Sequence, residues 1–332
     1  MILGMLTSFH RTSGNVQRAR ARRPIRGPVY RGSVLPAVPV PSLPSDLDGR
    51  HVLVVPAGTD ALELGRAWFV GATWDIPPTT GELSTVPRAG GGRFRGGGEV
   101  HPPRLGLLRL TATSTLVGPQ PYTRAPDGLL ARDVDLYALH QNVDDVAVLG
   151  WMTAAARRTG GAVVPADRTS VIAPDPAAAV ALTLWTGAAI GPDELLPLVR
   201  PALVGARLGP PQPVGPAPAD GPVGSTLTAA FEYDGTVRVT AGRRDEVPVA
   251  LSSHGWGPYG PWAYQVSWLP LDPDALDEVQ PSRLHVIARS RIAPVVARAV
   301  RALWSNVGGV VVDDGGFVVS TGELSERSSN LT

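Results

Sequence analysis

The chain has 332 residues, a hydrophobic share of 43% and a formal net charge of +1 at pH 7. That apolar content fills one large core or two ordinary ones, and 38 Gly with 34 Pro make the chain loop-rich and globular rather than a coiled coil or fibre. Cysteine is absent, which excludes disulfides, thiolate zinc sites and cysteine nucleophiles together.

The charge is unevenly placed. All 30 basic residues are Arg, a usage typical of a GC-rich bacterial genome. Seven of them (Arg11, Arg18, Arg20, Arg22, Arg23, Arg26 and Arg31) precede the first acid, Asp46. From residue 32 onward, 23 Arg face 29 acids, so the remainder carries a net −6. No apolar run is long enough for a membrane-spanning helix. The first residues place apolar groups before charges, the reverse of a secretory signal; their Arg-rich, acid-poor character has something of a mitochondrial transit peptide, but a cytoplasmic protein is the expectation.

Residues 1–48 read as a disordered Arg- and Pro-rich tail, because alternating Pro in "VLPAVPVPSLP" forbids a packed helix or central strand. Arg20, Arg22 and Arg23 could attract nucleic acid non-specifically, although a solvated tail explains them as well. A first α+β lobe is expected over 50–208. It opens with a strand at 51–55 and a helix over 61–69, which Thr59 or Asp60 would cap. A single glycine joins them, so no nucleotide-binding fingerprint is present. The segment 88–103 brackets Arg93 and Arg95 with glycine triplets, a composition found repeated in single-stranded RNA binders but present here once. Residues 105–117 read as one long strand.

An internal correspondence organises the rest. Residues 136–172 lie over 284–320 without a gap at an offset of 148, matching Gly160–Gly161 to Gly308–Gly309 and Val163–Val164 to Val311–Val312. Each copy reads as strand, helix, double glycine and β-hairpin, with Asn142 and Asp145 as a capping box in the first and Ser290 as the cap in the second. Pro294 then falls in the first turn of the second helix. Such a unit cannot bury its helix alone, so a duplicated partner is the natural solution. Residues 178–185 form a buried strand, and a helix from Pro192 must kink or end at Pro197 and Pro201.

The Pro-rich segment 209–224 is expected to link the lobes. A second α+β lobe over 225–321 follows, with strands at 226–233, 236–240 and 246–251 and a turn at Asp234–Gly235. Residues 322–332 read as a flexible C-terminus. The whole is α+β, its sheets covered on one face by helices and each half compatible with a ferredoxin-like arrangement.

Chemistry is sparsely signalled. The six His residues make no metal-ligand spacing, no nucleophile-elbow motif occurs, and neither metal nor cofactor is expected. Asp313–Asp314, after the apolar run 310–312, reads as turn chemistry, since Pro165–Ala166 stand at the matching place. The richest surface candidate is 252–268. His254, Trp256 and Tyr259 sit among Gly and Pro, while Trp262, Tyr264, Val266 and Trp268 alternate on one strand face. Three readings follow. The first is a non-enzymatic protein that binds a protein partner or itself through His254, Trp256, Tyr259 and Trp262. The second is a hydrolase or transferase with a pocket between the lobes near 254–259, assisted by an acid such as Glu232. The third is a nucleic-acid accessory protein using the tail together with Arg93 and Arg95.

Overall fold

The computed structural model describes residues 43–79, 104–122, 132–140, 145–209, 224–244, 246–252, 259–276 and 281–329, with the backbone of 83–84 and 99–100. Two antiparallel sheets and six helices make an α+β fold. The first sheet contains β1 (Val52–Pro56), β2 (Thr73–Ile76), β5 (Gly106–Arg109), β6 (Thr115–Tyr122), β7 (Val134–Leu139) and β8 (Ala162–Val164). The second contains β9 (Leu182–Thr186), β10 (Arg207–Leu208), β11 (Ser225–Phe231), β12 (Gly235–Arg243), β13 (Trp262–Leu269), β14 (Val310–Asp313) and β15 (Val318–Val319). A separate pair joins β3 (Leu83–Ser84) to β4 (Glu99–Val100).

The spatial orders are β2-β5-β6-β7-β1-β8 and β10-β11-β12-β13-β9-β14-β15. Counted along each sheet's own strands, both read second, third, fourth, fifth, first, sixth, and the second sheet adds a seventh strand, β15, at that end. In each, a helix follows the first strand: α1 (Ala61–Arg66) or α3 (Pro192–Val199). A longer helix, α2 (Val146–Thr159) or α5 (Arg283–Val307), crosses from the fifth strand to the sixth over the first. That crossing is the split β–α–β connection of ferredoxin-like sheets.

Strand alternation puts one face of each sheet against its helices. Leu53, Val55, Tyr137 and Leu139 pack beneath α1 and α2 with Trp151 and Met152. In the second sheet Leu182, Leu184, Tyr264, Val266 and Trp268 meet Ile292, Val296, Ala299, Val300 and Leu303 of α5. The opposite faces are also closed. Val52, Val54, Leu136 and Ala138 lie under Leu47, and Trp185, Ala263 and Val312 lie with Leu251 and Tyr259.

The double glycines divide two tasks between them. Gly160, with φ of 64° and ψ of 32°, takes the left-handed conformation that stops a helix, and Gly308 ends its helix at φ of 65° and ψ of −166°, a region open only to glycine. Gly161 and Gly309 instead pass against the first strand of their sheet. A Cβ on Gly161 would lie 2.1 Å from the Val54 carbonyl oxygen, and one on Gly309 would lie 2.2 Å from that of Trp185. No side chain larger than hydrogen fits either place.

Several boundaries differ from the sequence expectation. β9 and β10 pair within the second sheet, so the sheets divide between residues 172 and 182 and not at 209–224. Of that Pro-rich segment only Gly209 and Gly224 are described, and Gly209 N–H donates to the Thr226 carbonyl. Leu105–Val117 is a hairpin: Leu110 N–H and Thr111 N–H both donate to the Ser114 carbonyl, turning the chain between β5 and β6. Residues 246–251 make no strand; α4 (Val249–Ser252) follows Pro248 and buries Leu251 over the sheet. Within the expected tail, residues 43–48 are described, and buried Leu47 completes the second face of the first sheet. The cap of α2 is Asp145, accepting from Ala147 N–H and Val148 N–H, while Asn142 lies outside the described residues.

The largest difference is α5. Its cap is Ser282, not Ser290, and it runs 25 residues with Pro294 in its interior. Leu284–Ile287 is therefore helix, whereas Leu136–Leu139 at the matching offset is strand β7. The correspondence holds from the helix body through the hairpin. Pro294 takes the place of Val146, the first residue of α2, so everything before it in α5 is an extension without a counterpart in the first lobe. Packing of Ile292, Val295 and Val296 holds the helix across the proline, which forfeits one backbone hydrogen bond.

Residues 321–329 form α6 (Thr321–Ser329) in place of a flexible end. Ser320 and Glu323 make a reciprocal capping box at 2.9 and 3.2 Å. Leu324 is buried, and Arg301 donates to Ser328 Oγ at 2.9 Å, fastening α6 to α5.

Candidate functional site

Two places concentrate features that the fold does not need: the junction between the lobes and the outer end of the second lobe. At the junction, the β14–β15 hairpin reaches out of its own sheet into the first lobe. Phe317 is buried in the core beneath α1 and α2, and the Trp68 indole N–H donates to the Gly315 carbonyl at 2.7 Å. The turn is a three-residue loop in which Gly316 takes φ of 80° and its N–H donates to the Asp313 carbonyl.

Asp313 and Asp314 therefore make a turn, as their sequence suggests, but they also do more. Asp313 Oδ1 accepts the Phe317 N–H at 3.0 Å, and Oδ2 lies 3.8 Å from both Arg158 and Arg327. Asp314 stands 3.9 Å from Arg157, and Arg158 also pairs with Glu323 at 2.6 Å. Burial pushes Asp313 upward despite its Arg neighbours. Burial also pushes Asp314 up to about 7, against the pull of Arg157 and aided by repulsion from Asp313. Burial acts the same way on Glu323, yet hydrogen bonds from Arg158 and Ser320 N–H hold that carboxyl below the usual range. The one sequence signal for this cluster is Arg157–Arg158 at the end of α2; neither spacing nor composition tells that a hairpin 150 residues later will face them.

Beside the junction lies an open cleft of about 640 Å³. Asp60, Glu63 and Arg66 come from the α1 side, Arg158 from α2, Phe317 from the hairpin and Ala250 from α4. Most of its polar groups are already committed. Asp60 caps α1 through Leu62 N–H and Glu63 N–H, and Arg158 binds Glu323 and the Val318 carbonyl. No group of three or more His, Asp or Glu residues able to hold a metal occurs among the described residues.

The outer end of the second lobe is built differently. Side-chain contacts anchor the α5 extension. The His285 ring sits 4.9 Å from that of Trp268, Arg289 pairs with Asp175, and Arg291 lies 3.6 Å from Asp234. Its outer side exposes Leu284, at 79%, with Val286 and Ile287, and also Arg283, Ser290 and Arg291. The neighbouring turns add Leu271, Leu276 and Tyr233 at 70, 53 and 75% exposure. Trp268 joins these turns, since its indole N–H donates to the Asp234 carbonyl at 2.6 Å. Sequence reasoning missed this surface because 284–287 reads as a strand, and a strand hides the one-sided exposure of a helix.

Of the residues singled out from sequence, the described ones fall elsewhere. Tyr259 is buried with Trp185, Leu251 and Ala263, and Trp262 packs partly buried against the α5 face of the second sheet. His254 and Trp256 lie outside the described residues, as do Arg20, Arg22, Arg23, Arg93 and Arg95. Glu232 is exposed at the turn beside Tyr233, remote in sequence from every wall of the cleft. No helix among the described residues is long and apolar enough to cross a membrane. Compared with known protein families, curated proteins and solved structures, the chain matches none.

Proposed function

We propose that this protein is a non-catalytic cytoplasmic adaptor that binds another polypeptide through the outer end of its second lobe. The observation that carries this reading is the α5 extension, which exposes Leu284, Val286 and Ile287 and is tied through His285, Trp268, Asp234 and Arg291 to the segments that expose Leu271, Leu276 and Tyr233. Scattered apolar residues are ordinary on a surface, but a cluster on an anchored helical extension is the pattern of a docking site. The shared strand order and the two crowded glycines further support descent of both lobes from one duplicated unit, with the extension as the second lobe's addition.

The test is photo-crosslinking in cells from a reactive residue at Leu271, in the parent chain and in Leu284→Asp/Ile287→Asp. The expected result is a discrete polypeptide adduct that the double variant loses, with folding stability unchanged within about 0.5 kcal/mol because both side chains are exposed. An adduct that persists in the variant, or none in either protein, would overturn the reading.

A second reading rests on the cleft between the lobes, whose volume suits a small molecule and whose walls carry Glu63 and Arg66. It makes the protein a hydrolase or transferase. Ligand-induced protection of α1 from hydrogen exchange, lost in Glu63→Gln, would favour it over docking.

A further inference from the structure

The same surface carries information about its partner's chemistry. Glu232 adjoins Tyr233 in the chain, and Asp272 and Asp274 stand between Leu271 and Leu276; all three are exposed and form no ion pair among the described residues. Asp234 is matched by Arg291, and Arg283 offsets one of the remaining three carboxylates. The end is thus an apolar centre with an acidic rim. Such a rim repels the phosphates of nucleic acids and of anionic lipid surfaces, so neither suits this place. A second copy of the chain would bring the same acids face to face in a two-fold contact, which like-charge repulsion opposes.

We infer that the docking segment is basic as well as apolar: an amphipathic stretch of another polypeptide that sets Leu- or Ile-like side chains on Leu271, Leu276 and Leu284 and Arg or Lys against the Glu232, Asp272 and Asp274 carboxylates. This inference rests on the docking reading and adds the partner's charge to it. Apolar burial supplies affinity, and the charged rim selects the partner and speeds encounter.

The experiment measures fluorescence anisotropy with the full chain and three synthetic peptides of about 18 residues, enough for five helical turns. One is an amphipathic Leu/Arg helix, the second replaces its Arg by Glu, and the third keeps Arg but replaces Leu by Ser. The first is expected to bind, and the other two to bind more weakly by about tenfold or more. Glu232→Gln/Asp272→Asn/Asp274→Asn weakens the first peptide by about tenfold and strengthens the Glu peptide, whose repulsion by the rim it removes. Equal binding of the Arg and Glu peptides, both abolished by Leu284→Asp/Ile287→Asp, would overturn the basic partner while leaving docking intact. Binding insensitive to Leu284→Asp/Ile287→Asp would overturn both. A peptide of the chain's own residues 1–31, which holds seven Arg and no acid, is the last arm. If it displaces the Leu/Arg peptide, and the full chain crosslinks to itself between that segment and Leu271, the occupant belongs to this chain and not to another.

Discussion

The two hairpins that follow the double glycines start alike and end in opposite places. In the first lobe the chain turns after β8 and stays home: Val163 bridges Ile172, and Arg168 donates to the carbonyls of Pro165 and Leu47. In the second, the turn after β14 leaves its own sheet and buries Phe317 in the core of the other lobe. Both hairpins hang from the same frame, with a glycine pressed against the first strand. The frame constrains the strand, not the turn, so the turn is where the lobes diverge. In one it carries Pro and Ala; in the other it carries two carboxylates facing three arginines.

The most severe way to probe this comparison is to fill the space that both lobes forbid. Gly309→Ala must push against the Trp185 carbonyl from a backbone with φ of 114°, and Gly161→Ala against that of Val54. Each is expected to lose about 4–5 kcal/mol in chemical denaturation, while Gly160→Ala, whose Cβ would meet nothing closer than 3.4 Å, loses about 1. Similar losses at the first and second glycines would break the division of tasks.

Phe317→Ala comes next. It empties a place in the first lobe from a residue of the second, and a loss of about 3–4 kcal/mol is expected. The informative readout is hydrogen exchange: protection should fall in α1 and α2 as well as in β15. Loss confined to the second sheet would mean that the hairpin does not support the first lobe.

The acid pair gives a smaller, pH-dependent effect. Because the folded pKa of Asp314 is raised to about 7, the folded state binds more protons than the unfolded one between about pH 4 and 7, so stability falls as pH rises through that window. The drop attributable to Asp314 is at most about 4 kcal/mol, from roughly three pH units at 1.4 kcal/mol each. Asp313 shifts in the same direction. Glu323, held low, acts with the opposite sign: its stabilisation is present above its ordinary pKa and is lost as pH falls. Asp314→Asn should therefore flatten the decline in Tm between pH 5 and 8 and raise Tm at pH 8. An unchanged profile would show that Asp314 keeps an ordinary pKa at the junction.

The smallest expected difference separates the helix caps. Asp145→Ala and Ser282→Ala each remove a side-chain acceptor from an N-terminus, for about 1 kcal/mol apiece. Asp145 caps a helix that begins where the shared frame begins, whereas Ser282 caps the extension. Ser282→Ala should fray Leu284–Ile287 and weaken docking, and Asp145→Ala should leave docking alone. Equal effects on docking would sever the link between the extension and function.

Much of the fold was legible in local chemistry. The Asp145 cap of α2, the glycines Gly160 and Gly308 that end α2 and α5, and the alternation of Trp262, Tyr264, Val266 and Trp268 are patterns of period and spacing, which a sequence carries by itself. So is the helix–Gly–Gly–hairpin frame, because a backbone without room for Cβ admits one residue type. The rest depended on pairing over distance. Whether β9 joins the sheet before it or after it is decided by β13 and β14, whose register no local window contains. Whether 284–287 is strand or helix was decided by Ser282 and by core contacts beyond Pro294, since a short apolar run satisfies either period. The exposed face of the extension and the buried state of Asp313 and Asp314 are properties of what stands opposite them. Sequence set the identity of those side chains; tertiary structure alone set which faced water and which faced arginine.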